Sequence, residues 1–258
     1  MENEFLFLGT GGSEGIPSIG CQCPVCTSSD SHNKRLRPSG VVTIGSKRFL
    51  IDTGPDFRAQ ALLYQLNHLD GVLITHTHFD HVAGLDELRV YYLLHRTTLP
   101  VLVSETSFKD LKRRYDYFFR KKSWGMSLSA QLDFQVFKED HGEIEFQEVP
   151  IRYVTYEQGG MPVNGFCFNN FAYVSDIKDY PETIFEQLHG TEILVISALR
   201  KSASMMHLSL EEAIAFSKAV GAKKTYFTHI GHELEHEQTN ASLPEGFALA
   251  YDGLTLNF

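Results

Sequence analysis

The sequence predicts an α/β fold of two mixed sheets flanked by helices. Three observations carry this expectation. Strands alternate with helical stretches through residues 41–122, short alternating strands divided by turns fill 132–173, and the strand–helix pattern resumes from 192. At 258 residues the chain is expected to form one domain over 1–258.

Residues 4–8 read as a short apolar strand running into Gly9-Thr10-Gly11-Gly12-Ser13-Glu14-Gly15-Ile16-Pro17, where glycines and a proline force irregular backbone. A tight turn and a phosphate cradle both fit such a segment. The spacing and terminal lysine of a P-loop are absent, which favours the turn. Residues 41–44 and 48–52 form a hairpin around Gly45-Ser46, and Asp52-Thr53-Gly54-Pro55 ends its second strand. In the helix that follows, Phe57, Ala61, Leu62 and Leu66 recur at helical spacing and are expected to face inward, with Leu69 beyond. A buried strand over 71–75, a loop over 76–80 and a helix over 82–95 come next. Polar loops between strand and helix are where α/β proteins converge catalytic groups on one crevice.

A strand over 100–104 precedes a helix over 107–122 with Phe108, Leu111, Tyr115, Phe118 and Phe119 on its inner face. Its other face carries Lys109, Lys112, Arg113, Arg114, Arg120, Lys121 and Lys122, read as a solvated face rather than an anion trap. The alternating strands of 132–173, with turns at Asp140-His141-Gly142 and Asn169-Asn170, are assigned to the second sheet. Strands over 192–197 and 224–228 enclose a helix over 209–220, and residues 247–256 read as a terminal hairpin.

A net charge of −9 disfavours broad binding to nucleic acid or acidic membranes. No apolar run approaches the roughly 20 residues of a membrane span, and the first residues lack the form of a secretory signal. A soluble, cytoplasmic protein is expected. Cys21, Cys23 and Cys26 lie too close in sequence for long-range disulfides, so metal binding is the better reading, with a redox or buried cluster as the alternative.

His76-Thr77-His78-Phe79-Asp80-His81 places four metal-competent side chains at a strand end. His76 and His78 point the same way in extended backbone, while Asp80 and His81 sit where the next helix begins and reach a second point. The segment can therefore hold two ions, and imidazole with carboxylate suits zinc, manganese or iron. The bland alternative is a surface histidine cluster.

This loop resembles the His-x-His-x-Asp-His hallmark of the metallo-β-lactamase superfamily, and the resemblance spans nearly the whole chain. It implies a four-layer αββα sandwich. Leu50-Ile51-Asp52-Thr53-Gly54 is similar to the strand whose aspartate supports the ligands from behind. Val174-Ser175-Asp176 is similar to the strand end whose carboxylate bridges two metals, and Thr228-His229 to the last histidine ligand. Gly20-Cys21-Gln22-Cys23-Pro24-Val25-Cys26 resembles the insert, here about 18–38, of the branch containing the cyclic phosphodiesterase of the carbon-phosphorus lyase pathway, where three cysteines and a distant histidine hold a structural zinc. Three thiolates leave a tetrahedral zinc one ligand short. His232 matches the family position, and Cys167 is the competing donor. His207, just before the N-cap Ser209 and its capping-box partner Glu212, matches a histidine that protonates the leaving oxygen. A structural histidine beside a helix start is the other reading.

The superfamily also supplies a histidine after a strand like that of residues 149–154. Thr155 and Tyr156 stand there, and His141 is expected to lie exposed in a turn. The first metal then keeps His76, His78, Asp176 and water, an open set that binds its ion less tightly.

The resemblance implies a metal-dependent phosphodiesterase acting on a small cyclic or nucleotide-like phosphodiester through a metal-activated water, with zinc or manganese in the active site. Asp80 and Asp176 orient the nucleophile, and His207 donates the proton. The alternatives are a tRNA 3′-end endonuclease, an iron-dependent oxygenase like the pyrroloquinoline quinone biosynthesis protein, and a non-catalytic scaffold. No basic arm for gripping RNA is evident. A homodimer is expected only because it is the commonest assembly.

Overall fold

The computed structural model describes residues 3–119 and 129–258. In chain order the strands are β1 (Glu4–Gly9), β2 (Ser39–Ile44), β3 (Lys47–Ile51), β4 (Gly71–Leu73), β5 (Leu99–Ser104), β6 (Leu132–Phe137), β7 (His141–Phe146), β8 (Val149–Gln158), β9 (Met161–Phe168), β10 (Phe171–Val174), β11 (Ile193–Ser197), β12 (Lys224–Thr228), β13 (Phe247–Leu249) and β14 (Thr255–Asn257). Among the described residues they form two seven-stranded sheets, ordered β14-β1-β2-β3-β4-β5-β6 and β13-β12-β11-β10-β9-β8-β7. Both sheets are mixed, with β3 to β6 and β10 to β13 parallel runs.

The period-2 side-chain alternation of strands builds the layers. Phe5, Phe7, Phe49 and Ile51 point between the sheets against Phe166, Phe168, Phe171 and Tyr173. Leu8 and Leu50, one residue out of phase, face the helices over the first sheet with Phe57, Leu85 and Leu111. Cys167, flanked by Phe166 and Phe168, faces outward among Ala213, Phe216 and Val25 on the second sheet. Helix, sheet, sheet, helix is the four-layer αββα arrangement expected. Phe5 on β1 meets Phe171 on β10 at 4.9 Å between ring centroids, so aromatic packing closes the seam between the sheets.

Several expectations are corrected. The first helix, Phe57–Leu63, turns Phe57 and Gln60 inward, and Leu62 is 65% exposed. Gln60 takes the inner place because its amide Nε2 donates to the Arg37 carbonyl at 2.9 Å, and the chain leaves the helix at Gln65, where φ is 53°. The helix expected over 82–95 is broken into Phe79–Val82, a 3₁₀ turn Leu85–Leu88 and Arg89–His95. The break is at Gly84, where a Cβ would lie 2.3 Å from the Gly54 carbonyl, so the chain passes too close for a continuing helix. The helix expected over 107–122 starts at Glu105 and ends at Arg114, followed by a short turn Asp116–Phe119, while Arg120, Lys121 and Lys122 lie outside the described residues.

The first strand of the 132–173 stretch, β6, pairs with β5 and so belongs to the first sheet rather than the second. His141 opens β7 opposite Val154, exposed as expected but in a strand rather than a turn. The terminal pair is not a hairpin. β13 joins β12 in the second sheet and β14 joins β1 in the first, so the tail crosses from one sheet to the other. The local pattern of residues 247–256 carries no signal of which edge each strand takes.

No helix among the described residues is long and apolar enough to cross a membrane.

Candidate metal centres

Parallel strands bring their C-terminal ends to one rim, and four of them deliver site residues there. Asp52 follows β3, the motif loop begins after β4, Asp176 follows β10 and His229 follows β12. Asp52, Asp176 and His229 have φ of 61°, 57° and 54°. These left-handed conformations are uncommon outside glycine and cluster at functional sites, because they turn a side chain off the strand axis at a cost other contacts must offset.

The four motif side chains converge. His76 Nε2 lies 2.9 Å from His78 Nδ1. His81 Nε2 lies 3.0 Å from Asp176 Oδ2 and 3.4 Å from Asp80 Oδ2, without the alignment of a hydrogen bond. His229 Nε2 lies 3.1 Å from Asp176 Oδ1 and 3.3 Å from Asp80 Oδ2. Among the described residues three sets of three donors meet at the rim, His76 with His81 and Asp176, Asp80 with His81 and His229, and Asp176 with His207 and His229, each with ligand atoms within 4.8 Å of one another. All of the rim residues except His78 and His207, which are half-buried, are buried. Buried imidazole nitrogens and carboxylate oxygens facing a common point suit divalent ions, which the fold implies.

Behind the rim, Asp52 accepts from the Thr75 N–H at 2.8 Å and the Thr75 hydroxyl at 2.7 Å, and lies 2.7 Å from His81 Nδ1. Holding Nδ1 this way turns Nε2 toward the rim and fixes the tautomer. The motif loop is braced from the side as well. The Thr77 hydroxyl donates to Asp110 at 2.7 Å and Arg114 donates to the Thr77 carbonyl at 2.8 Å, with Arg114 and Asp110 themselves paired at 2.7 Å. The basic helix face is therefore solvated in part only: Arg114 holds the histidine loop.

Gly54 permits the close approach beneath the loop, since a Cβ there would lie 2.1 Å from the Asp80 carbonyl. Gly54→Ala is expected to push Asp80 and His81 outward, costing about 1–3 kcal/mol of stability and weakening retention of active-site metal. Thermal melting together with elemental analysis checks both; a variant unchanged in both contradicts the close approach.

Charge is shared across the rim. Burial pushes the Asp176 carboxyl up, but His229 and His81 outweigh it and hold it well below the usual carboxylate range. Burial pulls His81 down, but Asp80, Asp176 and Asp52 outweigh it and raise it well above an ordinary imidazole. His76 is lowered by burial and then by His81. The metal-free rim thus keeps a proton on His81 at neutral pH, and an incoming ion must displace it. Metal affinity is expected to fall as pH falls, with at least one proton released per rim loaded at pH 7, since His229 as well as His81 is raised. Calorimetric titration in buffers of different ionisation heat counts that proton, and a buffer-independent heat contradicts the prediction.

His207 reaches the rim. Its ring stacks on His229 with centroids 4.8 Å apart, and its Nδ1 lies 3.4 Å from Asp176 Oδ1. Ser209 caps the helix Leu210–Val220 with the expected reciprocal bond to Glu212. Burial and His229 push the His207 imidazole down to about 4, so it is neutral at pH 7 in the metal-free protein. That differs from the near-neutral value expected of an unperturbed imidazole.

The residues expected at the superfamily's additional histidine position go elsewhere. The Tyr156 hydroxyl donates to the Ser175 carbonyl at 2.7 Å, and the Thr155 hydroxyl accepts from Asn164 at 2.8 Å. Gln158, two residues further, is the side chain that arrives: it is 3% exposed and its Nε2 donates to Asp176 Oδ1 at 3.0 Å. Sequence reasoning misses it. The available signal is a glutamine ending the strand just before Gly159-Gly160.

The glycine segment after β1 makes close approaches. A Cβ at Gly12 would lie 3.4 Å from His229 Nδ1, and one at Gly9 would lie 2.0 Å from the Arg37 carbonyl.

A second cluster lies apart. His232 Nδ1 is 3.2 Å from Cys21 Sγ, 3.6 Å from Cys23 Sγ and 3.5 Å from Cys26 Sγ. A tetrahedral zinc with Zn–S of about 2.3 Å and Zn–N of about 2.1 Å has N···S edges of about 3.6 Å, so the spacing fits. The N–H of Cys26 is the first cause holding the Cys23 thiol down at about 6, whereas burial pushes Cys26 up to about 11. Asn33 ties the insert to the segment after His232, donating to Glu235 at 2.7 Å and accepting from the His236 N–H at 2.9 Å. Cys167 is buried in the core on the outer face of the second sheet and is not part of this cluster.

Residues 47–230 match the beta-lactamase superfamily domain family. Among solved structures, the chain is similar to a diphosphatase from the PhnP family, with 37% identity and a TM-score of 0.91 over 100% of this chain and 98% of that one. It shares the fold of Zn(2+)-bound PqqB from Methylobacterium extorquens, with 18% identity and a TM-score of 0.81 over 99% and 100% of the two chains. Among curated proteins it is 34% identical to an octanoyltransferase of Porphyromonas gingivalis over 96% of its own length, yet it spans only 50% of that protein. With more than half of its length matched, the chain belongs to the beta-lactamase superfamily domain family.

Proposed function

We propose that the chain is a metal-dependent hydrolase that cleaves a small phosphodiester. One observation carries this reading: His76, His78, Asp80, His81, Asp176 and His229, drawn from three strand ends, face one another at a single rim with His207 beside them. Divalent zinc or manganese held by these residues supplies Lewis acidity toward a phosphoryl oxygen and lowers the pKa of a water.

The protein's own groups do the rest. Asp52 fixes His81, and Asp80 and Asp176 present oxygens that orient the attacking water. As the water attacks phosphorus and the ester P–O bond breaks, the leaving oxygen needs a proton, and His207 stands at hydrogen-bond range of the rim to give it. The attacking water gives up its own proton to solvent through the rim carboxylates. His207, held down at about 4 by burial and His229 in the metal-free protein, takes a proton from solvent as the anionic substrate binds and passes it to the leaving oxygen. The net charge of −9 supports a small substrate rather than RNA, and reduced thiols at Cys21, Cys23 and Cys26 suit the cytoplasm.

Hydrolysis of a diphosphate linkage is the second reading, favoured by the 37% identity to a diphosphatase. The test is to strip the full chain with chelator, restore Mn2+ or Zn2+ under nitrogen, and offer bis(p-nitrophenyl) phosphate and a dinucleoside diphosphate in parallel. Metal-dependent release of p-nitrophenol supports the first reading, and cleavage of the diphosphate alone supports the second. Failure to hydrolyse either, with metal bound, overturns both.

A further inference from the structure

We infer that Gln158 supplies its amide oxygen as a metal ligand at the rim. This rests on the reading of the rim as a metal centre. Gln158 is the last residue of β8, paired with Met161 across the turn at Gly159 and Gly160, whose φ values are 55° and 80°. That turn aims a neutral polar side chain into the most charged part of the molecule. Its Nε2 donates to Asp176 Oδ1 at 3.0 Å and lies 3.2 and 3.0 Å from the two ring nitrogens of His207.

Its Oε1 is buried and has no hydrogen-bond partner among the described residues. A buried carbonyl oxygen left unpaired carries a desolvation penalty that a native site normally removes with a donor or a cation. The amide nitrogen already serves Asp176 and His207, which leaves the oxygen to another partner. A divalent ion gathered by His76 and Asp176 gives the oxygen its partner. Neither Thr155 nor Tyr156 can do this, since both are committed to Asn164 and Ser175. An amide oxygen is a harder ligand than imidazole, so this donor shifts the site toward manganese relative to zinc.

The test uses the full chain, freed of active-site metal and titrated with Mn2+, with free Mn2+ followed by electron paramagnetic resonance. Wild type is expected to bind two ions at the rim, one more weakly. Gln158→Met, which keeps the shape and removes the oxygen, is expected to weaken one ion at least about tenfold while leaving the other ion and the melting temperature unchanged. Gln158→Glu keeps an oxygen but loses the N–H, and is expected to hold that ion at least as tightly as wild type.

Wild-type affinity in Gln158→Met overturns the inference. So does equal weakening in Gln158→Met and Gln158→Glu, which assigns the effect to the bond donated to Asp176. A wild-type rim that binds no Mn2+ removes the metal centre itself, and the inference with it, whatever the variants do.

Discussion

Asp176→Ala is expected to reduce kcat for the proposed phosphodiester hydrolysis on the order of 10³-fold and to lower the number of ions held at the rim, while the Cys-cluster metal stays in place. The size of the effect follows from how many groups meet at this carboxylate. Oδ2 faces His81 at 3.0 Å, Oδ1 faces His229 at 3.1 Å and accepts from Gln158 at 3.0 Å, and the Ser175 hydroxyl donates at 2.8 Å. Its removal leaves His81 and His229, both buried, without the anion that holds their protons or balances an ion. Steady-state kinetics with elemental analysis on the same preparation checks this. A variant that keeps its metal and loses less than tenfold in kcat contradicts a bridging role.

Cys26→Ser is the second large effect, and it acts on stability rather than chemistry. It is expected to remove one bound zinc per chain and to lower stability by at least about 3 kcal/mol, a fall of about 6–12 °C in Tm for a chain of this size. The cluster joins two distant segments, since Cys21, Cys23 and Cys26 lie more than 200 residues from His232. Val25 and Cys26 also pack into the core over the second sheet, so losing the metal loosens that face. His232 follows His229 by three residues, and rim geometry is expected to soften with it. Scanning calorimetry with zinc quantification reads the outcome; an unchanged Tm in a zinc-free variant contradicts a structural role.

Much of the fold and the rim is legible in the sequence because the informative residues sit where strands end. The short continuous apolar run of Phe49, Leu50 and Ile51, then Asp52, reads as a buried strand delivering a carboxylate to a rim. The same holds for Val174 to Asp176 and for Thr228-His229. The six-residue metal loop with its four ligand side chains and the cysteine triplet are local patterns, and local spacing alone restricts what they can do.

What is not legible depends on contacts between segments. Gln158 is an ordinary polar residue until the pairing of β8 with β9 carries it to Asp176, and along the chain Thr155 and Tyr156 stand nearer the expected ligand position. Asp110 and Arg114 look like two charges on a solvated helix until that helix packs beside Thr77. The membership of β6 and the divergence of β13 and β14 are set by which sheet edges are free, a property of the assembled fold. The low value at His207 likewise comes from burial against His229, which no sequence spacing records.

The central claim is that ions occupy the rim between β4, β10 and β12. Anomalous diffraction from crystals of the Mn2+- and Zn2+-loaded protein, collected on both sides of each absorption edge, tests it directly. The account predicts one or two peaks enclosed by His76, His78, Asp80, His81, Asp176 and His229, and a separate zinc peak among Cys21, Cys23, Cys26 and His232. A loaded crystal with density for the side chains but no anomalous signal at the rim would contradict it.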